Sequence, residues 1–181
     1  FKKYLKEYNF HKLYKELLNF CSLDLSAFYF DIRKDILYCD DLKSTNRKIC
    51  INLLGLTLDI LLKWFSPILS FTTEEIFQIL NKEKKSSIHL EKFPEIPKKW
   101  ENKKIFEKWE KLKIVRNVTN AAIEVKRSSK DIGSSLEADI EVYLGEEYLK
   151  LAKDINLSEF FITSHAKAKS MTKNDEFFKL E

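Results

Sequence analysis

The sequence predicts a mainly α-helical protein in which a helical bundle is followed by a small β-α-β piece. The 181 residues include only three Gly and three Pro, which is typical of helical chains. Before Gly133, apolar residues recur every three or four positions, and after it polar and apolar residues alternate. We therefore predict a bundle over residues 1–131 and a small α/β domain over residues 132–181.

The first predicted helix covers residues 9–38, with Asn9 as its N-cap. A polar loop follows, and Ser44 or Thr45 is expected to cap a second helix over residues 47–66. This second helix is apolar on nearly all sides. Such a helix is predicted to lie in the middle of a bundle.

The second helix is predicted to end at Pro67, because proline cannot continue the hydrogen-bond pattern of a helix. Residues 72–75 read Thr-Thr-Glu-Glu, the spacing of a capping box. They predict a short helix that ends at Leu80. The connection that follows contains Ile88, His89 and Leu90, for which we expect an extended conformation.

The helical spacing resumes at Glu101 and fades at Ser128 and Ser129, which predicts one long helix. Residues 138–144 then alternate polar and apolar side chains, the pattern of a strand. A helix over residues 146–155 and a second strand over residues 160–164 complete the predicted β-α-β piece.

Positive charge is concentrated in the last helix of the predicted bundle and its flanks. Residues 98–131 hold eleven basic and five acidic residues, a net charge of +6, whereas the whole chain carries +4. Lys113, Arg116, Asn120 and Arg127 are spaced to share one helix face about 21 Å long. Basic stripes of this kind bind nucleic-acid backbones, although a solvated helix face gives the same pattern.

A second basic group is predicted where the first two helices meet. Arg33 and Lys34 lie near the end of the first helix, and Arg47 and Lys48 begin the second. These four residues are candidate RNA contacts or ordinary surface charges. Tyr29 is four residues from Arg33, so it is either a stacking partner for an RNA base or part of the core.

Other chemistry-bearing residues give weaker signals. Trp64 and Trp109 lie on apolar stripes and are expected to be core residues, whereas Trp100 follows two lysines and stays open as a stacking platform. Three Cys and three His are widely spaced, which indicates no metal site and no disulfide. No apolar stretch is long enough and free enough of charge to predict a membrane span.

Four strings, in this order, resemble bacterial isoleucyl-tRNA synthetases. They are F-Y-F-D-I-R-K-D at 28–35, W-F-S-P-I-L-S-F-T-T-E-E-I at 64–76, S-I-H-L-E-K-F-P at 87–94 and I-G-S-S-L-E-A at 132–138. The second string is shared by related class I synthetases, whereas the first and the last together favour the isoleucine enzyme. The resemblance covers about residues 9–166.

The resemblance implies an anticodon-binding bundle followed by the start of a junction domain, cut from a longer protein. The implied partner is tRNA(Ile), and Arg116 and Arg127 match basic positions that precede the family's I-G-S-S-L-E-A string. The catalytic H-I-G-H and K-M-S-K-S strings do not occur. We therefore expect no catalytic residue, metal or cofactor in this chain, and ATP, Mg²⁺ and Zn²⁺ in the parent ligase. A cytoplasmic monomer is expected.

Two alternatives remain. The same bundle occurs in valyl- and leucyl-tRNA synthetases, and a non-catalytic helical module could use its basic face to bind an acidic protein. Only a tRNA reader should respond to the anticodon sequence. At this stage we expect Arg116→Ala and Arg127→Ala to weaken tRNA binding without lowering the melting temperature.

Overall fold

The computed structural model of the protein describes residues 1–82 and 86–171. The chain divides into two compact units, Phe1–Ile96 and Pro97–Glu181. The predicted boundary after residue 131 differs from this division. The reason is that the last helix of the predicted bundle packs against the helices of the α/β piece, so it belongs to the second unit.

The first unit is helical throughout its regular structure. Its elements are α1 (Lys2–Lys6), α2 (Phe10–Asn19), a π-helical segment (Phe20–Phe30), α3 (Asp31–Cys39), α4 (Thr45–Phe65), α5 (Ser70–Leu80) and a 3-10 turn (Ile88–Leu90). Leu62, Phe77 and Ile88 are buried together and form one cluster of its core, with Ile76 packed against them. This core joins α4, α5 and the turn.

The predicted first helix is confirmed as one continuous helical stretch made of α2, the π-helical segment and α3. The Asn9 side chain accepts a hydrogen bond from the backbone N–H of Lys12 at 3.2 Å, as expected of an N-cap. A π-helix has wider turns than an α-helix. Residue spacing therefore does not assign faces within residues 20–30 as it does in α2.

Helix α4 begins as predicted, because Ser44 caps it by accepting a hydrogen bond from the N–H of Arg47 at 3.4 Å. The expectation that α4 lies in the middle of a bundle is wrong for the described residues. α4 packs against α3, α5 and the 3-10 turn, which cover only part of its circumference. Several apolar side chains of α4 are therefore exposed, namely Ile49, Ile51, Leu53, Leu56 and Leu58.

Helix α5 begins earlier than predicted. Its N-cap is Leu69, which offers no side-chain cap, so the Thr72 capping box is not formed. Thr73 is buried and donates its hydroxyl to the carbonyl oxygen of Leu69 at 3.0 Å. The expected extended conformation at Ile88–Leu90 is also wrong, because these residues form the 3-10 turn.

The second unit places one long helix against a two-stranded parallel sheet and its connecting helices. Its elements are α6 (Lys103–Ser128), β1 (Asp139–Leu144), α7 (Glu146–Ala152), α8 (Leu157–Phe161) and β2 (His165–Ser170), with 3-10 turns at Lys98–Trp100 and Ser135–Glu137. The strands pair in register from Asp139 opposite His165 to Leu144 opposite Ser170. The long helix, the first strand and the helix after it are confirmed.

The predicted second strand at residues 160–164 is wrong. Phe160 and Phe161 belong to α8, which Asn156 caps by accepting from the N–H of Glu159 at 3.3 Å. Both phenyl rings are buried, so their apolar character serves the core. Ile162 adopts a left-handed conformation with φ 57° and ends the helix. The strand follows only afterwards.

No helix in residues 1–82 and 86–171 has the length and apolar character needed to cross a membrane.

Candidate nucleic-acid interface

Helix α6 carries four of the eight predicted RNA contacts, and Asn102 caps its start. The Asn102 side chain accepts a hydrogen bond from the N–H of Ile105 at 3.1 Å. The helix continues for 26 residues. Leu112 and Ile123 are buried along it, so one side of α6 is committed to the core of the second unit.

Arg116 lies on this buried side. Only 5% of the residue is exposed, and its Nη1 donates a hydrogen bond to the carbonyl oxygen of Phe160 at 2.6 Å. The guanidinium carbon also lies 5.8 Å from the centroid of the Phe160 ring. The expectation of a surface arginine is therefore corrected, because this side chain holds α8 against α6.

The other members of the predicted stripe differ in exposure. Lys113 is half-buried and forms an ion pair with Glu110 at 3.2 Å. Asn120 is half-buried, and Arg127 is exposed and forms an ion pair with Glu124. Since Arg116 is buried between them, the four residues do not form one exposed basic stripe.

Two further cations of α6 are compensated within the second unit. Lys111 donates to Glu147, and this hydrogen bond raises the pKa of the lysine. Lys126 donates to Asp131 at 3.0 Å, and this hydrogen bond is the main cause of the lowered pKa of the aspartate. Lys111 and Lys126, like Lys113 and Arg127, are therefore each paired with a carboxylate of the second unit.

The second predicted group, in the first unit, is brought together by the contact between α3 and α4. The half-buried Arg47 donates from Nε to the carbonyl oxygen of Leu37 at 2.9 Å. Lys34 is exposed and pairs with Asp31 at 3.1 Å, whereas Lys48 is exposed and Arg33 is half-buried. Arg47 therefore ties the end of α3 to α4, and the lysines face outward.

Tyr29 does not present its ring freely beside Arg33. It is half-buried in the π-helical segment, and burial together with a side-chain hydrogen bond to Cys50 raises its pKa to about 12. Cys50 is itself buried in α4. Of the two readings that the sequence left open, packing inside the first unit therefore describes Tyr29.

The tryptophans behave largely as their positions indicate. Trp64 stacks on Phe1 with ring centroids 5.3 Å apart, and Trp109 lies 6.0 Å from the ring of Phe160. Both are half-buried, whereas half of Trp100 is exposed. The exposed Phe106 nearby was not singled out from the sequence, although its place off the apolar spacing of α6 was a usable signal.

The I-G-S-S-L-E-A string forms a closed loop at the entry to β1. The Glu137 carboxylate accepts from the N–H of Gly133 at 2.9 Å, and the Ser134 hydroxyl accepts from the N–H of Leu136 at 3.2 Å. A β-carbon on Gly133 would meet a carboxylate oxygen of Glu137 at 3.0 Å. The glycine therefore permits a close approach, and the string shapes the loop between α6 and the sheet.

Cavities open on the second unit within its described residues. One of about 790 Å³ lies between the second half of α6 and β1 and includes Val118, Ala122, Ile140 and Val142 in its mainly apolar wall. A smaller one of about 420 Å³ includes Glu124, Arg127 and Lys130. Within the described ranges no group of three or more His, Cys, Asp or Glu side chains could hold a metal ion.

Comparison with known proteins identifies the family. Residues 1–144 match the family described as the anticodon-binding domain of tRNA ligase. The chain is 54% identical over 166 residues to an isoleucine–tRNA ligase of Pelagibacter ubique, which covers 92% of this chain and 18% of that protein.

Two further relatives agree. An isoleucine–tRNA ligase of Mesorhizobium japonicum is 43% identical over 87% of this chain and 16% of that protein. One of Agrobacterium fabrum is 42% identical with the same coverage. The chain thus spans less than a fifth of the length of these curated relatives.

Proposed function

Because this chain belongs to the family of anticodon-binding domains of tRNA ligases, we propose that it recognises the anticodon stem-loop of tRNA(Ile). The main support for this proposal is the match to that family over residues 1–144, together with 54% identity to an isoleucine–tRNA ligase over 92% of the chain. The mainly helical structure agrees with the family assignment.

The proposal extends to a full-length protein that contains this chain, which we take to be an isoleucine–tRNA ligase like the relatives. That protein joins isoleucine to tRNA(Ile) in the cytoplasm, as a monomer, and uses ATP, Mg²⁺ and Zn²⁺. The described residues supply no group of three or more His, Cys, Asp or Glu side chains that could hold a metal ion, so neither Mg²⁺ nor Zn²⁺ is assigned to them. The work proposed for this chain is RNA recognition, which positions the tRNA for chemistry elsewhere.

Recognition of a loop requires two kinds of contact. Cationic side chains that bind phosphates fix the position of the RNA, and contacts to unpaired bases discriminate the sequence. In the first unit, Lys34 and Lys48 are exposed where α3 meets α4, which suits phosphate contacts. Arg47 supports them by holding the two helices together through the carbonyl of Leu37.

The test is a binding measurement with the 181-residue chain. A transcript of tRNA(Ile) is compared with the same transcript carrying a changed anticodon, at two salt concentrations. We expect tighter binding of the unchanged transcript at both salt concentrations, because base contacts do not depend on counterion release. Equal affinities that fall together with salt would contradict anticodon recognition.

The alternatives are separated by the same assay. Transcripts of tRNA(Val) and tRNA(Leu) test whether the bundle serves another ligase, and preferential binding of either would replace tRNA(Ile) as the partner. The exposed apolar side chains of α4, among them Ile49 and Ile51, favour a protein contact as a second role. Such a contact would withstand high salt and would not respond to the anticodon.

A further inference from the structure

The start of α6 and the turn before it form an uninterrupted exposed segment. Every residue from Lys98 to Glu107 is exposed. Two aromatic side chains and four lysines of this segment define what we call the Trp100 surface: Lys98, Lys99, Trp100, Lys103, Lys104 and Phe106. Glu101 is the one acidic residue between the first and last of them, so this stretch carries a net charge of +3.

The lysines of the Trp100 surface differ from four of the cations further along α6. Lys111, Lys113, Lys126 and Arg127 all form ion pairs with carboxylates. Within residues 1–82 and 86–171, none of the four lysines of the Trp100 surface forms such a pair. Binding an external anion therefore breaks no ion pair between these lysines and the described residues.

The two rings of this surface are open to solvent and have no ring partner among the described residues. Trp100 is 50% exposed and Phe106 is 67% exposed. Trp64 and Trp109, by contrast, both pack on phenylalanine rings. Large exposed rings beside cations are the composition of surfaces that bind unpaired nucleic acid, where bases stack on the rings.

The backbone that carries these side chains is fixed by hydrogen bonds. The N–H of Trp100 donates to the carbonyl of Pro97 at 2.9 Å, and the N–H of Phe106 donates to the carbonyl of Asn102 at 3.0 Å. Asn102 also caps the helix. The rings and ammonium groups thus project from an ordered turn and helix, so binding orders side chains and little backbone.

We propose that the Trp100 surface binds an unpaired segment of RNA, with bases stacked on Trp100 and Phe106 and phosphates bound by the four lysines. The inference rests on the proposed function, since the segment is taken to be part of the anticodon loop. It moves the main RNA contact on α6 from the stripe that includes Arg116 to the start of the helix. The lysines there form no ion pair with the part of the chain that the structure describes, and the rings are exposed.

The experiment compares variants of the 181-residue chain in binding a fluorescently labelled anticodon stem-loop of tRNA(Ile). The variants are Trp100→Ala, Trp100→Tyr, Phe106→Ala and a fourfold Lys→Gln variant of the surface. Phe71→Ala is the matched aromatic control because Phe71 is 92% exposed, and Lys126→Gln is the charge control. Circular dichroism confirms that each variant is folded.

We expect Trp100→Ala and Phe106→Ala each to weaken binding at least about fivefold, and Trp100→Tyr to keep most of the affinity. The fourfold lysine variant should reduce the slope of log affinity against log salt by about 2 to 3. The two controls should bind like the unchanged chain. Full affinity of folded Trp100→Ala and Phe106→Ala would overturn the proposal.

Other ligands distinguish the remaining outcomes. Heparin, a polyanion without bases, should bind with no dependence on Trp100; equal effects of Trp100→Ala on heparin and on RNA would overturn base stacking. A polyglutamate peptide tests for a protein partner. If this peptide binds more tightly than the RNA and its binding depends on Trp100, the surface is a protein contact and the proposal is overturned.

The inference and the proposed function can fail separately. If the chain prefers the unchanged anticodon and variants of the Trp100 surface bind with full affinity, the proposed function is supported and this inference is overturned. Trp100-dependent binding of unpaired RNA without anticodon selectivity supports the surface and contradicts the function.

Discussion

Arg116 and Phe160 are joined twice, by a hydrogen bond of 2.6 Å from Nη1 to the carbonyl oxygen and by a guanidinium that lies 5.8 Å from the ring centroid. The two residues are 44 positions apart. The contact ties α8 to the middle of α6. Arg116, which the sequence suggested as an RNA contact, is therefore interpreted as a structural support.

Arg116→Ala should destabilise the second unit. The substitution removes a buried charged donor and leaves the Phe160 carbonyl without this partner. We expect the free energy of unfolding to fall by about 2 kcal/mol. We expect reduced hydrogen-exchange protection in α8 and an earlier urea transition. Arg127→Ala is the matched control, since that arginine is exposed in a surface ion pair and should cost less than about 1 kcal/mol. Equal stability of the two variants would contradict the structural role.

Arg47 and Lys48 are adjacent cations with different expected roles. Arg47→Gln removes the hydrogen bond to the Leu37 carbonyl and should cost about 1 to 2 kcal/mol of folding free energy. Lys48→Gln changes the net charge equally at an exposed position, so its stability should stay within about 0.5 kcal/mol. Urea unfolding followed by circular dichroism measures both. A larger loss in Lys48→Gln would show that Arg47 is not the tie between α3 and α4.

Glu74 should make the stability of the first unit depend on acid pH. Its carboxylate accepts hydrogen bonds from Gln78, from the Ser87 hydroxyl at 2.8 Å and from the N–H of Ile88 at 2.9 Å, which lower its pKa below the ordinary 4.5. The folded state therefore favours the charged form. The stabilisation is present above pH 4.5 and is lost as the pH falls through the lowered pKa.

Urea unfolding of the unchanged chain and of Glu74→Gln, compared between pH 7 and pH 3, measures this contribution. The stability difference between the two proteins should shrink as the pH falls below 4.5, because the unfolded state then binds a proton more readily than the folded state does. A difference that stays constant over this range would exclude Glu74 as the titrating group.

Tyr29 should contribute a pH dependence at the alkaline end. Burial and the hydrogen bond with Cys50 raise its pKa from 10.0 to about 12, so the folded state favours the neutral phenol. Its contribution is full below pH 10 and is lost as the pH rises from about 10 to about 12. Tyr29→Phe removes this component, which unfolding curves at pH 8 and pH 11 would reveal. An unchanged pH dependence in Tyr29→Phe would contradict it.

Local sequence patterns were sufficient where the structure depends on neighbouring residues. Asn9 and Ser44 were expected as helix caps and are caps, because a cap bonds a backbone N–H only a few residues away. The alternation in residues 138–144 gave β1 for a similar reason, since successive side chains of a strand face opposite sides. The four sequence strings that resemble isoleucyl-tRNA synthetases indicated the family correctly.

The local patterns failed where distant residues compete for the same side chain. Phe160 and Phe161 resembled a strand and are helical, because their rings fill the core of the second unit. Thr72 and Glu75 have capping-box spacing, yet α5 begins earlier, and the adjacent Glu74 carboxylate bonds the turn at Ser87 instead. Neither outcome can be read from spacing along one helix.

The sequence by itself determined the family, the positions of the long helices, their caps and the concentration of basic residues near α6. Only the tertiary structure decided which of those charges remain available to a ligand. Arg116 is buried against Phe160 and Lys111 is paired with Glu147, whereas the lysines around Trp100 are exposed. The physical reason is that charge is a property of a residue, but its desolvation and its pairing depend on partners that folding brings from elsewhere in the chain.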